Sequence, residues 1–350
     1  MNHLFLHCRA GFEKECAAEI TELAQALDIY GYVKTKESSA YVVFISHEDD
    51  GATKLIRKLA FSQLIFVRQW FASNGLITGM DVADRLTPLM AAVKELPKGC
   101  ELVTETVDTN EGKEFSTLTK KFSVPFTRAL EKQHYFVAKS SWRLHLVFIS
   151  GTEAFVGVSP IPNSSKWPMG IPRLRLPKEA PSRATLKLEE AWHHFIPADQ
   201  WDDRLAAGMR AVDLGAAPGG WTWQLMQRGM YVEAVDNGPM DKALLESGQV
   251  LQMLADGFIY EPKKPAHWLV CDIVDKPAKV ASMVTRWFAK GHCKQAIFNL
   301  KLPMKQRYDE VKKIRERMIN ELEKLGLKVE LEFKQLYHDR EEVTGYLRVS

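Results

Sequence analysis

Ala211-Val212-Asp213-Leu214-Gly215-Ala216-Ala217-Pro218-Gly219-Gly220-Trp221-Thr222-Trp223 decides the fold of the second half of this chain. It reads as a buried strand, a glycine-rich turn and the start of a helix. Glycine has no Cβ, so Gly215, Gly219 and Gly220 can take positive φ or let a ligand approach main-chain N–H groups. The next apolar strand, over 231–235, is closed by Asp236. An acid about 20 residues beyond such a turn is where a carboxylate meets ribose hydroxyls in a mononucleotide-binding β-α-β unit. A nucleoside-bearing ligand is therefore expected. The turn is not the dinucleotide fingerprint: Pro218 interrupts it and the G-x-G-x-x-G spacing is missing, which argues against an NAD-dependent oxidoreductase.

Outward from this turn the strand–helix alternation is regular, with strands over 211–214, 231–235, 268–271 and 296–300. Such alternation predicts a parallel sheet covered on both faces. A long charged helix follows over 305–325, then two β-rich segments, 328–337 and 343–349, joined closely enough to form an antiparallel hairpin at the sheet edge. Ligands of a doubly wound sheet lie at the carboxyl ends of its parallel strands. Polar residues at those ends are accordingly candidates for the chemistry: Asp272 after Trp268-Leu269-Val270-Cys271, Lys301 after Ile297-Phe298-Asn299-Leu300, and Glu342 ahead of Val343. Glu341 competes with Glu342, because a one-residue slip turns a side chain to the other face. Cys271 belongs to its strand and is expected to pack rather than react.

Six of the 16 prolines fall within 160–181, a density that no continuous helix or central strand tolerates. This marks a linker over 161–181 between a front region, 1–160, and a back domain, 182–350. The stretch 166–187 is basic: Lys166, Arg173, Arg175, Lys178, Arg183 and Lys187 face the single acid Glu179, with Trp167 and Met169 among them. It is either a surface for phosphates and a stacked base or a solvated connection. The front region predicts a β-α-β opening, with a strand over 4–8, a helix carrying Phe12, Cys16, Ile20, Leu23 and Leu27 on one face, and a strand over 41–45. Further strands are expected over 64–71, 101–107, 144–149 and 154–158, with helices near 53–59, 82–96 and 115–130. Lys113, Lys120, Lys121, Arg128 and Lys132 read as a solvated helix face.

With 350 residues the chain exceeds one ordinary core, and a net charge of +3 does not by itself imply a nucleic-acid partner. No apolar run reaches the ~18 residues of a membrane span, and the first ten residues carry no export signal, so a cytoplasmic protein is expected. Five scattered cysteines without C-x-x-C spacing fit reduced thiols, with no structural metal expected.

The turn resembles the first motif of S-adenosylmethionine-dependent methyltransferases, in particular the D-x-G-x-x-P-G-G turn of FtsJ-like ribose 2′-O-methyltransferases. Ser182-Arg183-Ala184-Thr185-Leu186-Lys187-Leu188 resembles their S-R-A-x-x-K-L stretch. Lys187, Asp272, Lys301 and Glu342 stand in the order of their catalytic tetrad. Longer blocks are similar to the bacterial RlmM family: Gly11-Phe12-Glu13-Lys14-Glu15-Cys16, Trp167-Pro168-Met169-Gly170-Ile171-Pro172, Val235-Asp236-Asn237-Gly238-Pro239-Met240, Phe298-Asn299-Leu300-Lys301-Leu302-Pro303-Met304-Lys305 and Tyr337-His338-Asp339-Arg340-Glu341-Glu342. Two departures are the cofactor turn Gly215-Ala216-Ala217-Pro218-Gly219-Gly220, where the family leads one to expect Gly-Ala-Cys-Pro-Gly-Gly, and an end at Ser350, short of the expected length.

The resemblance implies an α/β protein: a Rossmann-like methyltransferase domain with a terminal antiparallel hairpin, preceded by an α+β region of the THUMP type that grips RNA. It implies S-adenosylmethionine as cofactor, held by Ser182, Ala184, Gly215, Ala217, Pro218, Gly219, Gly220, Asp236, Asp256 and Asp272. Asp256 would accept from the adenine amino group, although Asp256-Gly257 also reads as a plain turn. The implied substrate is a cytidine 2′-hydroxyl of 23S ribosomal RNA or its precursor, the implied protein a cytoplasmic monomer. Lys301 would be the base, with Lys187, Asp272 and Glu342 around it. Desolvation and the Lys187 charge would lower its pKa, and the two acids would oppose this. A charged Lys301 that steers the hydroxyl is the other role these residues allow. A ribosome assembly factor with a vestigial cofactor site is the non-enzymatic alternative.

Overall fold

In the computed structural model, which describes residues 1–350, the chain divides into two units, Met1–Pro172 and Arg173–Ser350. The first opens with β1 (His3–His7), α1 (Glu13–Gln25), β2 (Gly31–Thr35), β3 (Tyr41–Ser46), α2 (Gly51–Lys58) and β4 (Gln69–Ile77). β1 lies between β3 and β4 and runs antiparallel to both. The expected β-α-β opening is thus part of a longer β-α-β-β-α-β arrangement. β2 pairs antiparallel with β3 as a hairpin, so β3 returns alongside β1 in the opposite direction. The strand expected over 64–71 begins only at Gln69. The amides of Ile65 and Phe66 donate to the buried carboxylate of Glu19 on α1, which keeps that segment out of the sheet. α1 buries Cys16, Ile20 and Ala24, four residues apart as one face of a helix requires.

The unit continues with α3 (Leu86–Lys94), β5 (Glu101–Thr106), α4 (Asn110–Glu114), α5 (Ser116–Lys132), β6 (Trp142–Phe148) and β7 (Ala154–Pro160). β7 bridges β4 and β6, giving one sheet in the order β2-β3-β1-β4-β7-β6-β5. Leu144, Leu146 and Phe148 of β6 pack with Phe126 and Leu130 of α5 and Leu89 and Val93 of α3. Lys113, Lys120, Lys121, Arg128 and Lys132 are all exposed. Lys166 holds its ammonium 4.4 Å from the centre of the Trp167 ring, so one face of that indole is already engaged.

The second unit contains α6 (Thr185–Phe195), α7 (Trp201–Arg204), β8 (Arg210–Leu214), α8 (Gly220–Gln227), β9 (Tyr231–Val235), α9 (Lys242–Glu246) and β10 (Val250–Met253), followed by β11 (Ala266–Cys271), α10 (Pro277–Ala289), β12 (Cys293–Lys301), α11 (Arg307–Glu323), β13 (Val329–Lys334) and β14 (Glu342–Val349). The sheet order is β10-β9-β8-β11-β12-β14-β13, parallel from β10 to β12 and closed by the antiparallel hairpin. This is the expected Rossmann-like doubly wound sheet with its terminal antiparallel hairpin. Strand order reverses between β8 and β11, so a crevice opens beyond their carboxyl ends, where the loops after them diverge. Trp192, Trp221, Leu225 and Trp268 are buried in the core around β8.

Candidate active site

The turn after β8 is held open by backbone geometry. Gly215 has φ +78 and Gly219 φ +119, the left-handed region that side chains disfavour. A Cβ on Gly219 would overlap the Leu244 side chain, and one on Gly215 would stand 2.7 Å from Ile273 Cγ1. Asp236 fixes the turn from the end of β9: its Oδ2 accepts from Ala217 N–H at 3.0 Å and its Oδ1 from Gly238 N–H at 2.7 Å. A cavity of about 500 Å³ opens here, lined by Gly215, Ala217, Asp236, Asp256, Gly257, Phe258, Asp272 and Ile273 among others. The Asp256 carboxylate also accepts from Phe258 N–H at 2.8 Å, so the turn-forming role and a place on the cavity wall coexist.

Ser182, Ala184, Pro218, Gly219 and Gly220 are not among the residues lining this cavity. They form the joint between the turn and the approach to α6. Pro218 follows Ala217 through a cis bond. Trp221 Nε1 donates to the Ala184 carbonyl at 3.0 Å, and Thr185 Oγ1 to the Gly220 carbonyl at 3.1 Å. A Cβ on Gly220 would collide with Ser182 Oγ. Two buried oxygens near the turn, Ser182 Oγ and Asp213 Oδ1, have no hydrogen-bond partner in the protein. Burial, and after it the charges of Asp272 and Asp236, push the Asp213 carboxyl up to about 7 against the hydrogen bond from Thr222. Buried polar atoms without partners are costly, and the two stand on either side of the turn's entry into α8.

Beside the cavity stand the four polar residues singled out in the sequence. Lys187 projects from the first turn of α6, Asp272 follows β11, Lys301 ends β12 and Glu342 begins β14 rather than preceding it. Antiparallel pairing of β12 with β14 sets Lys301 opposite Glu342. Lys301 Nζ donates to Glu342 Oε2 at 2.8 Å and to Asp272 Oδ1 at 3.3 Å. Lys187 Nζ donates to Asp272 Oδ2 at 3.3 Å and to Glu342 Oε1. Each acid thus bridges both lysines, and each lysine both acids. Glu341 turns away to pair with Arg307 at 2.8 Å.

The electrostatics divide the lysines. Burial works against charge on Lys187, but Asp272 and Glu342 outweigh it and hold the ammonium above its ordinary range. Glu342 is likewise kept below the usual carboxylate range: burial opposes its charge, and Lys187 and Lys301 overcome that. Lys187 therefore compensates the acids. Lys301 is the less enclosed of the two, with 23% of its side chain exposed against 15% for Lys187. Cys271 is fully buried and its thiol is pushed up to about 12 by burial, so it does not act as a nucleophile.

Three residues that the sequence did not mark as site residues adjoin this cluster: Asn299 donates to Asp272 Oδ1, and Thr344 and Asp339 stand behind it. Asn299 and Thr344 lie two residues from Lys301 and Glu342 on their strands, hence on the same sheet face. That spacing is the signal, and it is usable only once the β12–β14 register is known.

Residues 1–71 match the RlmM ferredoxin-like domain, 84–160 the N-terminal region of ribosomal RNA large subunit methyltransferase M, and 180–320 the FtsJ-like methyltransferase family. The chain is 70% identical to a ribosomal RNA large subunit methyltransferase M of Cellvibrio japonicus over 100% of both sequences, so no shortfall at the carboxyl end separates it from that relative. It is 53% identical to the protein of the same name from Pseudomonas fluorescens Pf0-1, covering 99% of this chain and 97% of that one. Among solved structures, TrmN from Thermus thermophilus aligns with 100% of both chains at 12% identity and a TM-score of 0.38.

Proposed function

This chain belongs to the ribosomal RNA large subunit methyltransferase M family, and from that membership we propose that it methylates the 2′-oxygen of a cytidine in 23S ribosomal RNA or its precursor, with Lys301 as the base. Methylation of large-subunit ribosomal RNA is the reaction of the family. Bound S-adenosylmethionine would supply an electrophilic methyl group on sulfur. The glycine turn, Asp236 and Asp256 on the cavity wall fit its nucleoside.

One observation carries the reading: Asp272 lines the cavity and also bonds both lysines, so the cofactor space and the tetrad share a wall. A ribose hydroxyl brought to that wall meets Lys301, which takes the 2′ proton on Nζ as the oxygen attacks. Bound S-adenosylmethionine would supply the methyl group that this oxygen takes and would leave as the neutral thioether, while Lys301 returns its proton to solvent. Lys187, held charged by Asp272 and Glu342, compensates the two acids that bond Lys301 Nζ.

The same reading assigns RNA gripping of the THUMP type to residues 1–160, with 161–181 as connector and 182–350 as the catalytic domain. The protein then acts as a cytoplasmic monomer; no helix is long and apolar enough to cross a membrane. Lys301→Ala is expected to lower single-turnover methyl transfer to 23S ribosomal RNA by about 10²–10⁴-fold, the range of a lost general base, with cofactor affinity unchanged. Undiminished transfer by this variant would remove Lys301 from the mechanism. Mass mapping of the wild-type product checks the nucleotide: methylation anywhere but a cytidine ribose would refute the assignment.

A further inference from the structure

Behind the tetrad lies a chain of fully buried polar side chains. Asn299, Thr344 and Asp339 each have 0% exposure. β12 and β14 set Asn299 opposite Thr344, as they set Lys301 opposite Glu342, so the two polar pairs stand on one face two residues apart. Asn299 Nδ2 donates to Asp272 Oδ1 at 2.9 Å, the same oxygen that Lys301 reaches at 3.3 Å. Thr344 Oγ1 lies 2.9 Å from Asn299 Oδ1 and 2.9 and 3.1 Å from the two oxygens of Asp339. Leu336 N–H donates to Asp339 Oδ2 at 2.9 Å.

Counting protons fixes the direction of this chain. The Asn299 amide must turn its NH2 to Asp272, because its oxygen there would face a carboxylate. Its oxygen then faces Thr344, which has one proton and three oxygens around it. If Asp339 were ionised, that proton could satisfy either the carboxylate or Asn299, and the other contact would set oxygen lone pairs against each other. A proton on Asp339 resolves the conflict: Asp339 O–H donates to Thr344 Oγ1, Thr344 O–H to Asn299 Oδ1, and Asn299 N–H to Asp272 Oδ1.

We propose that Asp339, Thr344 and Asn299 form a one-directional hydrogen-bond relay, headed by a neutral Asp339, that positions Asp272 and thereby tunes Lys301 as the base. The three are positioning residues, and the proposal rests on the reading of Lys301 given above. Burial and the nearby Glu342 charge hold Asp339 well above the ordinary carboxylate range, in keeping with a proton there. The groups facing Lys301 are Asp272 from the end of β11, Glu342 from β14 and, bridging both, Lys187 from α6. An ionised Asp339 would add a third acid to the cluster and favour the charged form of Lys187. Asn299 disperses charge on Asp272 Oδ1; without it, that oxygen holds Lys301 Nζ more tightly, and proton transfer from the hydroxyl is expected to need a higher pH.

The test uses the full chain with Thr344→Val, Asn299→Leu, Thr344→Ser and Asp339→Asn, measuring single-turnover rate against pH, cofactor Kd and KM for RNA. Thr344→Val and Asn299→Leu are expected to slow transfer about 10–100-fold, the scale of a mispositioned reacting group, and to move the rising limb of the profile to higher pH with Kd and KM unchanged. Thr344→Ser keeps the hydroxyl, and the Asp339→Asn amide donates where the acid proton did, so both should follow the wild-type profile. A folded but inactive Asp339→Asn would overturn the relay, because it would mean that a charged carboxylate is needed. Wild-type rate and profile in Thr344→Val would overturn it too. If Thr344→Val or Asn299→Leu does not fold, Asp339→Asn still decides between a neutral and a charged head. An inactive Lys301→Ala alongside normal relay variants rejects the relay alone, whereas an active Lys301→Ala rejects the base reading beneath it.

Discussion

Asp213 shows how one carboxyl can link fold stability to ligand binding. On β8 its Oδ2 accepts from Thr222 Oγ1 at 2.7 Å while Oδ1 is buried without a partner. Its carboxyl, pushed up to about 7 mainly by burial, binds a proton in the folded chain at pH values where the unfolded chain has already lost it. The sign follows: a raised acid makes folding progressively less favourable as pH rises from its unfolded value of about 4 toward 7. At ~1.4 kcal/mol per unit, this group costs about 2–3 kcal/mol more at pH 8 than at pH 5. Asp213→Asn keeps the Thr222 contact and removes the charge. It should melt higher than the wild type at pH 8 and gain little at pH 5; equal gains at both would show that Asp213 titrates normally. The same position is expected to favour a cationic ligand, which would share the cost of ionising it.

At the scale of elements, β5, β6, β7 and β1 bring together an arrangement that imitates a nucleophilic triad. Ser159 Oγ lies 2.8 Å from His145 Nε2, and His145 Nδ1 lies 2.9 Å from Glu105 Oε2. None of the three is more than 2% exposed, so no substrate reaches them and the arrangement is architectural. Glu105 also accepts from the backbone N–H of Met169, a residue at φ +58, and so ties the segment 168–170 to the sheet. Burial works against its charge, but His145 and His7 more than offset this and hold it far below the ordinary carboxylate range. For a depressed acid the stability is present above the unfolded value and is lost as pH falls through the folded one. Glu105→Gln should therefore destabilise the first unit by about 1–3 kcal/mol at neutral pH, as leaving buried hydrogen-bond partners unsatisfied does, with a shrinking deficit toward acid. Urea titrations at two pH values check this; a deficit that does not change with pH would mean that charge is not what Glu105 contributes. Elements with strong apolar periods were legible in the sequence, whereas β2 and β10 were not. Both are sheet-edge strands, with Tyr32 and Lys34 of β2 and Leu251 of β10 partly or largely exposed, so neither shows a buried apolar run. Asp272, Lys301 and Glu342 stood out because each borders an apolar segment, and Lys187 through the likeness of its S-R-A-x-x-K-L stretch to the FtsJ-like enzymes. Asn299 and Thr344 did not, because a polar side chain inside an apolar strand acquires its meaning only from the partner strand.

For the molecule as a whole, the net charge of +3 says little, and the placement of charge says more. The segment leading into α6 presents Arg173, Arg175, Lys178 and Arg183, all exposed, against the single exposed acid Glu179. It leads directly to Lys187, so phosphates bound along it would lie on the same stretch of chain that enters the tetrad. The sequence left two readings of this segment, a phosphate track and a solvated connection, because exposure of basic residues is common to both. Salt separates them. Each phosphate contact releases counterions and contributes about 0.7 to the slope of log affinity against log salt for single-stranded RNA. Arg173→Glu, Arg175→Glu and Lys178→Glu together should then lower that slope by about 2 and raise KM for RNA more than about 10-fold at 0.15 M salt. The maximal rate and the cofactor Kd should stay as they are, because none of the three lies on the cavity wall or in the tetrad. An unchanged slope with unchanged KM would make the segment a solvated connection, and RNA affinity would then have to come from the first unit. A fall in maximal rate at constant KM would instead mean that the segment orders the approach to Lys187 rather than holding phosphate.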